Sequence, residues 1–177
     1  MRIKIPQAFR VMEYESMQSL TLTLIAAAVS VGEIESLLEG CARNDISGTI
    51  NTDKNWVNAQ NLLDELNAKG IPAQNAGVDN TLPSTITIKM YVPTEQRERV
   101  IAWADRNIVW NVRWGVSVGD RIEAPEPIET TLYNHCFAGS IIGFQCGYAQ
   151  VEDGDGDVFD IEVDKLNAEF PQNLVTN

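Results

Sequence analysis

The chain has a single histidine, His135, and three cysteines, Cys41, Cys136 and Cys146, and this scarcity sets the first exclusions. Three is an odd number, and no two of these thiols stand in a C-x-x-C pair, so neither a disulfide framework nor a structural zinc site is signalled. His135 and Cys136 are neighbours, and adjacent residues on a strand point to opposite faces, which keeps them from pairing as base and nucleophile. A Cys146 that faces either one across a hairpin is the remaining form of that idea, set against a plain structural role. No G-x-S-x-G, no phosphate-binding glycine loop and no metal-ligand spacing occurs. The expectation is a non-enzyme without cofactor or metal, an enzyme with an unrecognised site being one alternative.

Long apolar runs are also lacking. LTLTLIAAAV, residues 20–29, is too short and too interrupted by threonine for a membrane span or the core of a usual signal peptide. A cytoplasmic protein, or one working in a viral particle or an infected host cell, is expected.

The third shortage is of positive charge, and it is local. Residues 1–121 carry 12 basic and 14 acidic side chains, whereas residues 122–177 carry one basic, Lys165, and 11 acidic, so −2 and −10 make up the net −12. Such a surface repels nucleic-acid phosphates and anionic lipid, and favours a basic protein surface. The asymmetry implies two domains, 1–121 and 122–177, with GDRIEAPEPIE at 119–129 as the boundary.

What the chain does contain is clear periodicity. In STITIKMYV, Ile86, Ile88, Met90 and Val92 alternate with Thr85, Thr87, Lys89 and Tyr91, the two-residue period of a half-buried strand. IVWNVRWGVSV sets Ile108, Trp110, Val112, Trp114, Val116 and Val118 on one face. Between them TEQRERVIAWADRN has helical spacing, with Thr94 as a cap and Glu95 one turn before Arg99. TDKNWVNAQNLLDELNAKG places Trp56, Ala59, Leu63 and Leu66 on one stripe and ends in Gly70, suited to a left-handed cap. With DISGTI as a strand and another after Gly70, residues 45–118 read strand, helix, strand, strand, helix, strand. That is the ferredoxin-like split βαββαβ pattern, an antiparallel sheet with both helices on one face.

Ahead of it, SLTLTL alternates Leu20, Leu22 and Leu24 with threonine, and SVGEIESLLEG has Ser30 and Glu33 at capping-box spacing; together they form an amino-terminal β-α extension. RIKIP reads as an edge strand. After residue 129, TTLYNHCF, SIIGFQC, YAQVE and DVFDIEVD are short β-prone runs broken by Ala138-Gly139, Gly147 and Asp-Gly pairs, suggesting a small SH3-like barrel. The whole is an α+β fold.

Within AQVEDGDGDVFDIEVDKL, residues 149–166, seven carboxylates crowd together. A calcium loop counted from Asp153 has Val158 where the turn glycine belongs and Asp164 at the position of the bidentate glutamate, so a hairpin tip explains the Asp-Gly repeat better. Phe159, Ile161 and Val163 then alternate with Asp160, Glu162 and Asp164, giving a strand with an acidic outer face. Glu35, Glu39, Asp64 and Glu65 read as solvated helix surface. Trp110 and Trp114, about 13 Å apart along a strand, read first as core and second as interface anchors.

These features point to a protein-binding or assembly protein, of the kind small viral and mobile-element proteins provide. It would self-associate as a homo-oligomer or dock a basic partner through Asp155, Asp157, Asp160, Glu162 and Asp164, with Trp110 and Trp114 as further contacts. Direct nucleic-acid and membrane binding are not expected. An acidic inhibitor that imitates nucleic acid to block a nucleic-acid enzyme is the second alternative.

Overall fold

A computed structural model describes residues 3–5, 16–41, 46–51, 56–77, 84–106, 109–124, 137–145, 147–169 and 175–176. The elements follow the order β1 (Ile3–Ile5), β2 (Met17–Ile25), α1 (Val31–Leu38), β3 (Ser47–Asn51), α2 (Trp56–Ala68), β4 (Ala73–Gly77), β5 (Thr85–Pro93), α3 (Arg97–Ala104), β6 (Val109–Ser117), β7 (Arg121–Ala124), β8 (Phe137–Gln145), β9 (Tyr148–Asp153), β10 (Val158–Glu162), α4 (Val163–Glu169) and β11 (Val175–Thr176). The fold is mixed α+β.

Two compact units result, one of Met1–Ser19 with Trp114–Val175, the other of Leu20–Arg113 with Thr176–Asn177. The divisions fall inside β2 and β6, ahead of the boundary that composition suggested. Part of that supposed linker is itself a strand: β7 occupies Arg121–Ala124, and Ile122 is fully buried. The two prolines that follow hid a short alternating run.

In the unit of Leu20–Arg113, the strands belong to a mixed sheet ordered β6-β2-β5-β3-β4, with the two-residue β11 beside β6. The backbone bond from Ala26 N–H to the Ser84 carbonyl ties the end of β2 to the start of β5, as antiparallel pairing requires. β3 runs antiparallel to β5 but parallel to β4. The four strands of residues 45–118 therefore do not make the antiparallel sheet expected of them, because β2 takes the place between β5 and β6. The amino-terminal strand is central, where the sequence suggested an addition to an edge or flank. Leu20, Leu22 and Leu24 are buried while Thr21 and Thr23 are partly open, as their alternation implies.

Helix α1 has contacts with both α2 and α3 or the residues at their ends. α1 starts at Ser30, whose Oγ accepts the Glu33 N–H at 3.2 Å, and buries Val31, Ile34, Leu37 and Leu38. α2 touches α1, with Lys69 Nζ 3.4 Å from Glu35 Oε1, and Arg106 just beyond α3 lies 3.5 Å from Glu33 Oε2. α2 ends as its sequence indicates: Gly70 has φ +80°, its N–H meets the Asn67 carbonyl, and Ile71 N–H meets that of Leu66. Those two bonds are the Schellman pattern, and Leu66 and Ile71, the two positions it brings together, are both buried. Asn67 then turns its amide onto β4, donating to the Ala73 carbonyl at 3.2 Å and accepting the Ala73 N–H at 3.0 Å. A side-chain amide thus occupies part of an otherwise open sheet edge.

In the other unit, β7, β8, β9 and β10 follow one another as an antiparallel sheet, and β1 pairs with the outer edge of β10. β1 is the edge strand that RIKIP suggested. Among the described residues the sheet stays open and closes into no barrel. β8 runs through Ala138-Gly139, read from sequence as a break, with Gly139 in regular register, and has its one register shift between Ile141 and Gly143. Ile122, Ile141, Ala149, Val151, Ile161 and Leu166 are buried at 1% exposure or less. Gly115 is also needed here: a Cβ on it would come 2.5 Å from Ser19 Oγ and 2.6 Å from Asn167 Oδ1. Both polar groups use that space to bond the Val116 backbone, Ser19 Oγ donating to its carbonyl and Asn167 Oδ1 accepting its N–H.

Candidate interaction site

The Asp-Gly repeat forms the tip between β9 and β10. Asp153 N–H donates to the Asp157 carbonyl, and Gly156, with φ +83°, returns its N–H to the Asp153 carbonyl. Asp153 Oδ1 accepts the N–H groups of Asp155 and Asp157, both at 3.0 Å, so this carboxylate builds the turn. Asp155 is exposed and Asp157 half-buried beside it. Among the described residues no three His, Cys, Asp or Glu side chains come together as a metal cage.

Beyond the tip, the acidic strand differs from its sequence reading. β10 ends at Glu162, and Val163 and Asp164 begin α4. Val163 and Leu166, both buried, are three residues apart, a helical interval that the alternation up to Val163 concealed. Asp164 is therefore exposed in the first turn of a helix, where a negative charge suits the N-terminal dipole, and does not extend the row of Asp160 and Glu162. Nor is that row simply an outer face. Val158, which alternation puts on the same side, is 1% exposed, and burial pushes the Asp160 carboxyl above the usual aspartate range. Asp155, Asp157, Glu162 and Asp164 are left as the more open members of the acidic group.

The tryptophans part company as well. Trp114 is 1% exposed, with Val112 and Val116 buried to either side. It fills core and offers no surface to a partner in this conformation. Trp110 lies within β6 by backbone, its side chain being outside the described residues, as are His135, Cys136 and Cys146. The remaining thiol, Cys41, is buried; burial pushes its pKa up against the opposing charge of Arg99, which makes it a poor nucleophile.

Arg99 is the residue whose role the sequence did not disclose. It does not pair with Glu95: its Nε donates to Gln96 Oε1 at 2.8 Å, and its guanidinium reaches the end of α1, donating to the carbonyls of Ser36 at 3.0 Å, Leu37 at 3.1 Å and also Glu39. These are carbonyls that a helix end leaves without partners. The available signal was negative: α1 has no basic residue in its last turn, so the cation that suits its C-terminus comes from elsewhere.

A cavity of about 400 Å³ opens beside α1 and α2, lined by Ala26, Val29, Val31, Ile50, Ala59 and Leu62, with Ser30 and Glu65 among its few polar groups. Its walls are chiefly aliphatic. No described helix is long and apolar enough to cross a membrane. Comparison with protein-family models, curated proteins and solved structures found no match to this chain.

Proposed function

We propose that the protein is a non-enzymatic interaction or assembly protein, which docks onto a basic protein surface or a neighbouring copy through acidic residues of its carboxy-terminal third. The observation that carries this reading is the −10 balance over residues 122–177, against −2 over the rest. Asp155 at an exposed tip and Asp164 on an exposed helix turn give that charge a place to act. Carboxylates so grouped speed encounter with a basic surface and reject nucleic acid and anionic membrane.

A ferredoxin-like arrangement is supported in a shifted frame, with β2 as its first strand. The order β6-β2-β5-β3 is that of β2-α1-β3 followed by β5-α3-β6, with α2 and β4 inserted between the halves. The SH3-like reading of the carboxy-terminal part rests on the run of antiparallel neighbours from β7 to β10.

Size-exclusion chromatography with light scattering at low and high salt, followed by capture on the immobilised chain, tests the reading. Expected is an assembly larger than one chain or a captured basic protein, in either case weakened by salt. Asp155→Asn, Glu162→Gln and Asp164→Asn combined remove three charges and should slow association roughly tenfold without unfolding the protein. A chain that stays monomeric and captures nothing, or that binds without regard to salt or to these charges, refutes the proposal.

A further inference from the structure

Gln150 is 3% exposed, and its Oε1 has no hydrogen-bond donor; Asp160 Oδ1 is cut off from water and likewise lacks one. The register of β9 and β10 sets Gln150 directly opposite Asp160. Residues opposite each other in an antiparallel ladder share a face, with Cβ atoms about 5 Å apart. Two acceptor oxygens cannot bond each other, and burying both without a donor is unfavourable. A carboxyl that carries a proton is a donor, and an amide oxygen accepts from it.

We propose that Asp160 and Gln150 form a proton-holding pair, in which Asp160 takes a proton from solvent and donates its O–H to Gln150 Oε1, tightening the antiparallel sheet on acidification.

Burial favours the protonated form, among neighbours of both charges. Glu162 lies two residues along β10 on the same side, and on β9 Tyr148 and Glu152 flank Gln150, opposite Glu162 and Val158. Across β1 the register partner is Ile3, with Lys4 opposite Phe159. On β8 the partner of Gln150 is Gly143, which carries no charge, while α4 supplies Asp164 and Lys165. Glu162 is itself held ionised by neighbouring positive charge, Lys165 included, so desolvation is what disfavours an ionised Asp160.

The sign follows from linkage. Unfolded, Asp160 has the ordinary value of 3.8; folded, it keeps its proton to higher pH. The pair's contribution to stability is complete below the unfolded value and is lost as pH rises through the folded one.

Two measurements on the full chain test this. Carboxyl NMR should show Asp160 titrating above 3.8, with the midpoint moving down in Gln150→Met, which keeps the length of the side chain and removes the acceptor. Urea melts should show Asp160→Asn, whose amide donates to Gln150 at any pH, more stable than the parent near neutrality, the advantage shrinking as pH falls. An Asp160 that titrates at or below 3.8, as an ionised group accepting from a turned Gln150 amide would, overturns the pair. So does an unchanged midpoint in Gln150→Met, which leaves burial as the sole cause. If Gln150→Met does not fold, the melts decide: an Asp160→Asn difference that is independent of pH refutes the proposal.

Discussion

Both units bury polar atoms without partners, but of different kinds: Thr85 Oγ1, Trp103 Nε1 and a Glu33 oxygen that faces Arg106 in one, Gln150 Oε1 and Asp160 Oδ1 on opposite strands in the other. In the unit of Leu20–Arg113, Arg99 spreads its donors over the carbonyls at the end of α1, Ser30 Oγ accepts the Glu33 N–H in the first turn of that helix, and Asn67 satisfies both backbone groups of Ala73. In the unit that contains β7 to β10, Ser19 and Asn167 are matched on Val116, yet Gln150 and Asp160 bury oxygens without donors. A unit whose unmatched groups are chiefly a hydroxyl and an indole N–H, Thr85 and Trp103, gains little from a change in pH. One with a carboxyl left unmatched responds to it, because protonation supplies the missing donor.

The largest expected effect concerns apolar packing, the main stabilising term where polar matching is incomplete. Trp114→Ala removes a side chain that is 1% exposed and should cost about 3–5 kcal/mol in urea or thermal unfolding. A loss below 1 kcal/mol would mean that the indole is not packed as described, and would return Trp114 to the list of surface anchors.

Next in size is the test of polar matching. Arg99→Met keeps an apolar stem and removes the guanidinium, leaving the Ser36, Leu37 and Glu39 carbonyls without a cation. Bonds to a charged group are worth about 1.5–3 kcal/mol, and water can replace part of them, since Ser36 and Glu39 are exposed. A loss of about 1.5 kcal/mol is expected, with hydrogen exchange rising first at the end of α1. An unchanged exchange pattern would remove Arg99 from the contrast between the units.

What the sequence disclosed follows the same division. Elements with a buried stripe and a marked end were legible: α1 from Ser30 and Glu33, α2 from Leu63, Leu66 and Gly70, β2 and β5 from strict alternation. Pairing order was not, because alternation identifies the face a strand buries and is silent about its neighbour; β2 between β5 and β6 and the parallel β3-β4 pair depend on long-range choices. Of the candidate site, the hairpin tip was legible from Asp-Gly chemistry. The end of β10 was not, since Val163 satisfies both the strand period before it and the helix period shared with Leu166.

The smallest expected effect tests whether a cap legible in the sequence carries the energy its geometry suggests. Ser30 Oγ accepts the Glu33 N–H at 3.2 Å and donates to Glu33 Oε1 at 3.3 Å, and the Glu33 carboxylate also faces Arg106 at 3.5 Å. Ser30→Ala removes the acceptor while the Glu33–Arg106 contact can persist, so the loss should be about 1 kcal/mol, the usual value for a lost helix cap. Glu33→Gln should cost less, because an exposed ion pair contributes little and a glutamine still suits the capping position. If instead Glu33→Gln is the costlier change, the start of α1 is held by its charge contact with Arg106 more than by its cap. Both ends of α1 would then depend on long-range pairs, which no local pattern in the sequence could have indicated.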